Sequence, residues 1–213
     1  IAENGYSEAL RARIKGDAST RSYERLVLGE RHVVLMNSPR QPDGPPVRDG
    51  KPYSAIAHLA ESVIPFVGMA TALRERGLSA PQVHHAELDQ GLLILEDLGD
   101  MAVVSGEPPA PMKERYECED ALLWLHDQQL PDVLQVAPHI EHRIPYYDIN
   151  AFLIEVELLL DWYLPRLGAE LAESERESLR ALWRELLQPA IDAPPTWVLR
   201  DFHSPNLLWL PKR

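Results

Sequence analysis

Residues 196–213 read TWVLRDFHSPNLLWLPKR, and the reading of the fold turns on them. Two apolar runs, Trp197–Leu199 and Leu207–Leu210, flank a short polar turn that carries Asp201 and Asn206. Phosphoryl transfer to a hydroxyl asks a protein for positioning and charge neutralisation rather than covalent chemistry. One carboxylate must orient the acceptor hydroxyl and take its proton. A second oxygen, a few residues on, must hold a metal ion beside the phosphates. A D-x-x-x-x-N turn supplies both, so Asp201 is the candidate catalytic base and Asn206 the candidate magnesium ligand. The plain alternative is a turn in which Asp201 caps and Asn206 tolerates an unusual backbone angle. The context favours catalysis: a long helical pattern precedes the motif, apolar segments flank it, and His203 and Pro205 fill the loop.

Working back from this loop, the chain divides by pattern. Asn4–Ile14 suggests a short entry helix. Gly16–Arg21 suggests a loop joining an earlier strand to a hairpin. Tyr23–Leu28 and His32–Met36, around Gly29-Glu30, predict that antiparallel hairpin. Residues 37–53 hold five prolines and two glycines and predict a loop. Residues 55–77 turn helical, in two pieces because of Pro65, the second ending at Gly77. Two more strands, 82–87 and 92–96, flank an Asp-Gln-Gly turn. The remainder is expected to be almost all helical: 112–130, 148–167 and 173–191, the last with a capping box of Ser174 and Glu177. Ala193-Pro194-Pro195 then ends it, and 207–210 is expected to form a short strand. The Pro-rich stretch 105–112 is the expected lobe boundary. These elements predict an α+β, two-lobed fold: a β-rich N-terminal lobe over 1–104 and an α-helical C-terminal lobe over 105–213. Two such lobes often hold a ligand between them.

Composition narrows the function classes. Lysines and arginines number 21 against 33 acidic residues, a net charge of −12. So acidic a surface repels phosphate backbones and argues against nucleic-acid binding, though not against a local pocket for one nucleotide. Cys118 is the only cysteine, which excludes an intramolecular disulfide and a multi-cysteine zinc site. No apolar run approaches the roughly 20 residues that span a bilayer. No signal peptide is visible. A cytoplasmic protein is expected; the oligomeric state is not set by the sequence.

With these residues in hand, a resemblance is visible. RDFHSPNLLWL (200–210) resembles the D-x-H-x-x-N catalytic loop of the aminoglycoside phosphotransferase superfamily, which shares the protein-kinase-like fold. GDASTRSYERL (16–26) resembles the nucleotide loop of one branch, the bacterial cell-wall amino-sugar kinases, which phosphorylate N-acetylmuramate and N-acetylglucosamine at the anomeric hydroxyl. GLLILEDLGD (91–100) resembles the hinge between lobes. The resemblance implies an ATP- and Mg2+-dependent small-molecule kinase. Asp201 would be the base and Asn206 the metal ligand. Backbone groups of Glu96, Asp97 and Leu98 would bond adenine, and Ser19, Thr20 and Arg21 would lie over the phosphates. Polar hydroxyls, loop N–H groups and a guanidinium suit that last task, although a plain polar turn is the alternative. The acceptor would be a sugar, an amino sugar or an aminoglycoside. A kinase-like nucleotide-binding module without turnover is the rival from another class.

Four departures bear on that rival. Leu199 stands where the family has a histidine. Met36 stands about where the third strand carries a phosphate-binding lysine; Arg21, Arg25 and Arg40 are the possible substitutes. The following helix offers only Glu61 and Glu75 as partners for such a lysine. The second metal aspartate would follow NLLWL, and the sequence reaches Arg213 before it. That predicts either further residues or an inactive relative. Other polar groups have ordinary readings. His84 and His85, adjacent in a strand, are expected to face opposite ways, and His139 and His142 to lie in a loop. Trp162, Tyr163 and Trp183 are expected in a core, Cys118 half-buried in a helix, and Glu157 and Asp161 on a solvated helix face.

Overall fold

The computed structural model describes residues 3–15, 20–106, 110–111 and 118–211. Strands β1 (Leu10–Ile14), β2 (Ser22–Leu28), β3 (Arg31–Asn37), β6 (Val83–Glu87) and β7 (Leu92–Glu96) form one antiparallel sheet in the order β1-β2-β3-β7-β6. The expected entry helix is instead a turn followed by β1. Leu10-Arg11-Ala12-Arg13-Ile14 alternates with a period of two, and Arg11 forks onto Glu24 of β2 at 2.6 and 2.9 Å. The β2–β3 and β6–β7 hairpins fall where the sequence places them. Gly91 is obligatory in the second: its φ is +70°, and a Cβ there would stand 2.1 Å from the carbonyl oxygen of Ser38.

Between β3 and β6 lie β4 (Pro46–Arg48), β5 (Lys51–Pro52), α1 (Tyr53–Ile56) and α2 (Ile64–Glu75). The expected loop 37–53 therefore contains a small hairpin, β4–β5, turned by Asp49-Gly50, both at positive φ. Pro65 sits in the first turn of α2, where its missing N–H costs nothing. The helix ends on a Schellman motif: Gly77 N–H donates to Arg74 O and Leu78 N–H to Leu73 O.

Beyond the sheet come the short pair β8 (Val104–Ser105) and β9 (Ala110–Pro111), and then α3 (Cys118–His126). The first part of the expected helix 112–130, and the side chain of Cys118, lie outside the described residues; its end falls at His126. Strands β10 (Val133–Ala137) and β11 (Ile140–Arg143) form a hairpin in a region expected to lack strands. His139 turns it at φ 64°, and His142 lies within β11 rather than in a loop. Helix α4 (Ile149–Leu158) is capped by Asp148, whose carboxylate accepts from Asn150 N and Ala151 N. It runs through a π-turn, Leu159–Tyr163, into α5 (Leu164–Arg166). Helix α6 spans Glu173–Asp192. Its cap is not the Ser174–Glu177 pair: Glu175 reaches back to the N–H of Ala172 at 2.8 Å. The expected strand 207–210 reduces to one bridge, Leu208 to Ala102.

The chain forms two compact units. The first comprises Ile1–Gln41, Ser62–Ile144 and Thr196–Arg213; the second comprises Pro42–Glu61 and Pro145–Pro195. In the first, one sheet face carries Tyr6, Leu26, Val33, Leu35 and Ile94. On the other, Met36, Leu93 and Leu95 pack with Val63 and with Val67 of α2. A third cluster joins Ala72, Leu125, Leu134 and Trp197. In the second unit, Ile56 and Ala57 pack on Ile154 of α4. Trp162 and Tyr163 are not core residues: they are 75% and 56% exposed, because the π-turn rotates the helix surface there.

Candidate active site

Asp201 and Asn206 are brought together by their own loop. Trp197 anchors its entry, buried in the third cluster with its indole N–H donating to Pro131 O at 2.8 Å. Leu199 packs against the same cluster. The position of the family's bracing histidine is thus filled by an apolar contact. The chain then reverses through Phe202 N–H to Leu199 O, His203 N–H to Asp201 O and the 3₁₀ turn Ser204–Asn206. Asn206 Nδ2 donates to the backbone carbonyl of Asp201 at 3.0 Å and lies 3.4 Å from His203 Nε2. That bond locks the separation of the two residues. Since the amide nitrogen is spent on the clamp, Asn206 Oδ1 is the atom left to serve as a ligand. Asp201 is exposed.

The loop is also tied to the end of the hinge. Trp209 N–H donates to Met101 O at 2.7 Å, beside the Leu208–Ala102 bridge. All the described site candidates therefore belong to the first unit.

At the hinge the ladder between β3 and β7 ends at the pair Val33–Glu96. The peptide groups of Asp97 and Leu98 lie beyond that ladder. Their neighbouring side chains have structural tasks. The Glu96 carboxylate accepts from Arg74 of α2 at 3.2 Å and from Gln82 N at 3.1 Å. The Asp97 carboxylate takes a fork from Arg25 at 2.6 and 3.0 Å, and the N–H of Gly99 at 3.0 Å. Burial alone would raise the Asp97 carboxyl; the bonds from Arg25 and Gly99, with the Arg25 charge, outweigh it and hold it below its usual range. Arg25 is raised in turn, first by its bond to Asp97. Arg25 is thus bonded to the segment that follows β7.

Ser19 lies outside the described residues. Thr20 and Arg21 are exposed and lead into β2. Met36 is 1% exposed in the core against α2, so the lysine position is a packing position here. Of the candidate partner glutamates, Glu75 lies at the end of α2 and Glu61 belongs to the second unit.

Elsewhere, two readings are corrected. A bulge between Val83 and His85 breaks the alternation of β6, so His84 and His85 line the same shallow hollow, with Asn4, Tyr6 and Arg31. Glu157 is not solvated: it is 5% exposed and bonded to Arg48 at 2.6 Å, with Arg180 at 3.3 Å from its other oxygen. Among the described residues no three His, Cys, Asp or Glu side chains gather as a metal site.

The five-stranded sheet, the segment that follows β7 and the Asp201–Asn206 loop all lie in the first unit. A family model described as "Phosphotransferase enzyme family" matches residues 11–213, and the chain belongs to this family. Its kinase-like fold accounts for the sheet-then-helix order. A Caulobacter vibrioides protein named N-acetylmuramate/N-acetylglucosamine kinase is 34% identical over 233 residues, covering 100% of this chain and 61% of that protein. Proteins of the same name from Pseudomonas aeruginosa and Neisseria meningitidis are 32% and 30% identical, covering 90% of this chain and 49% and 51% of their own length. The chain thus spans about half to three-fifths of the length of these curated relatives. No helix among the described residues is long and apolar enough to cross a membrane.

Proposed function

We propose that this chain carries the nucleotide site and catalytic loop of an ATP-dependent kinase that moves the γ-phosphoryl group to a hydroxyl of a sugar or amino sugar. N-acetylmuramate and N-acetylglucosamine are the acceptors that the relatives' names suggest. The observation that carries the proposal is the Asn206 clamp on the Asp201 carbonyl, which holds the two residues together on one short loop. In this reading the Asp97 and Leu98 peptides bond adenine, and Ser19, Thr20 and Arg21 lie over the phosphates. The Asp201 carboxylate orients the acceptor hydroxyl and takes its proton. Magnesium, held by Asn206 Oδ1 and phosphate oxygens, would neutralise charge on the transferring group. The lobes divide functionally near 104/105, and the cytoplasm, where ATP is available, is the fitting compartment.

A second reading, a nucleotide-binding module without turnover, is favoured by buried Met36 in the lysine position. An acceptor panel of amino sugars and an aminoglycoside decides between them. Phosphorylation of an amino sugar, lost in Asp201→Asn with ATP binding retained, is the expected result. ATP binding without ADP release for any acceptor selects the second reading, and equal turnover in Asp201→Asn refutes the base assignment.

A further inference from the structure

Arg25 of β2 pairs across the sheet with Val34 of β3, and Val34 with Leu95 of β7. Directly opposed residues share a face, so these three form one row on the face that also holds Met36 and Leu93. A guanidinium in an apolar row needs a partner, and Arg25 finds it two residues past Leu95. Its Nε meets Asp97 Oδ2 at 2.6 Å and its Nη2 meets Oδ1 at 3.0 Å. This fork spans three strands. The Asp97 side chain is 9% exposed, and its Oδ1 also accepts from the N–H of Gly99, closing an Asx-type turn. Gly99 takes φ +79° to complete that turn. One carboxylate therefore fixes both the start and the end of the segment 97–99, and one guanidinium fixes that carboxylate to β2. The β3–β7 ladder does not hold this segment, because it stops at Glu96.

We propose that the Arg25–Asp97 pair is a positioning device for the nucleotide base: it pins the hinge peptides in register with β2 and so sets affinity for the adenine moiety, without touching the phosphates. The inference rests on the reading of 96–98 as the nucleotide hinge. It adds a role for two side chains that the backbone contacts alone do not require. It also separates Arg25 from the alternative in which it replaces the missing lysine, because a guanidinium forked onto Asp97 points along the sheet to the hinge.

The test is titration calorimetry of the chain with Mg-ATP and, separately, with adenosine, at a temperature where circular dichroism shows each variant folded. Wild type, Arg25→Ala, Asp97→Asn, Arg25→Lys and the exchange Arg25→Asp/Asp97→Arg are compared. A charge-assisted fork lost at the hinge weakens binding by about tenfold. The expected result is a similar loss for ATP and for adenosine in both single variants, with partial recovery in Arg25→Lys, which keeps charge but not the fork. Recovery in the exchange would support a direct pairing. ATP weakened with adenosine unchanged in Arg25→Ala, and no effect of Asp97→Asn, would overturn the proposal and make Arg25 a phosphate ligand. Unchanged affinity for both ligands in folded single variants would leave the pair as a fold element alone and overturn it too. Failure of wild type to bind either ligand would overturn the hinge reading itself, and the proposal with it.

Discussion

Replacing Arg48 with alanine is expected to destabilise the second unit through Glu157. That carboxylate is 5% exposed on α4, and Arg48 of β4 is its hydrogen-bonded partner at 2.6 Å. Removing one member of a buried ion pair strands the other, at roughly 3–5 kcal/mol. Two features reduce that figure. The Arg48 side chain is 31% exposed, so part of its charge is already screened. Arg180 stays at 3.3 Å from the second oxygen, though it is shared with Glu173. About 2 kcal/mol is therefore expected, which for a chain of this length lowers Tm by about 4–8 °C. Thermal unfolding followed by circular dichroism measures it. The control is the pair Arg48→Met/Glu157→Leu, which removes both charges and should cost less than Arg48→Ala alone. If Arg48→Ala melts within a degree of wild type, or the double variant is the worse of the two, the stranded-charge reasoning is refuted.

Met36→Lys, restoring the family residue, should lower stability and fail to raise ATP affinity, since the ammonium would enter an apolar cluster without a glutamate; a gain in affinity would refute this. Asn206→Ala removes both the clamp and the ligand oxygen, so it should raise the magnesium concentration needed for half-maximal ATP binding; an unchanged requirement counts against Asn206 as ligand. His142 has its pKa lowered by burial. Its neutral form is thus favoured in the fold, and that contribution is present above the ordinary histidine value and lost as pH falls through the lowered one. Tm should fall more steeply for wild type than for His142→Phe between about pH 7.5 and 5, and parallel curves would contradict the assignment.

Several elements were legible because one local signal controlled them. Gly29 and Gly91 mark hairpin turns, Gly77 a helix end, Asp148 a helix start. The turn between Asp201 and Asn206 was legible because its residues bond mainly to each other. What escaped depended on partners far along the chain. Leu10–Ile14 carries helix-compatible residues, yet becomes a strand because β2 pairs along it, with Arg11 forked diagonally onto Glu24. The β10–β11 hairpin has no Gly turn; His139 takes positive φ instead. Its β10 strand packs on α2, where a Cβ added at Gly68 would stand 3.3 Å from Val136 and 3.4 Å from Leu134. The Asp49-Gly50 pair was a legible hairpin signal masked by surrounding prolines. Glu157 looked like one more acidic residue on a helix; its burial is explained by Arg180 and by Arg48, the latter more than a hundred positions earlier. Likewise, nothing in EDLGD announces that its aspartate is bonded to Arg25.

The bond from Trp209 to Met101 and the bridge from Leu208 to Ala102 also govern when the site is made. The strands of the five-stranded sheet all lie before residue 97, so the sheet has its whole sequence early in synthesis. The hinge then waits for a segment about a hundred residues later, on the order of 5–20 s at ribosomal rates of about 5–20 residues per second. During that interval Met101 and Ala102 have no loop to bond. Long-range closure of this kind slows folding more than it weakens the finished fold. Synonymous changes that alter translation speed between residues 102 and 208 would therefore act on the yield of folded protein, while leaving each folded molecule the same.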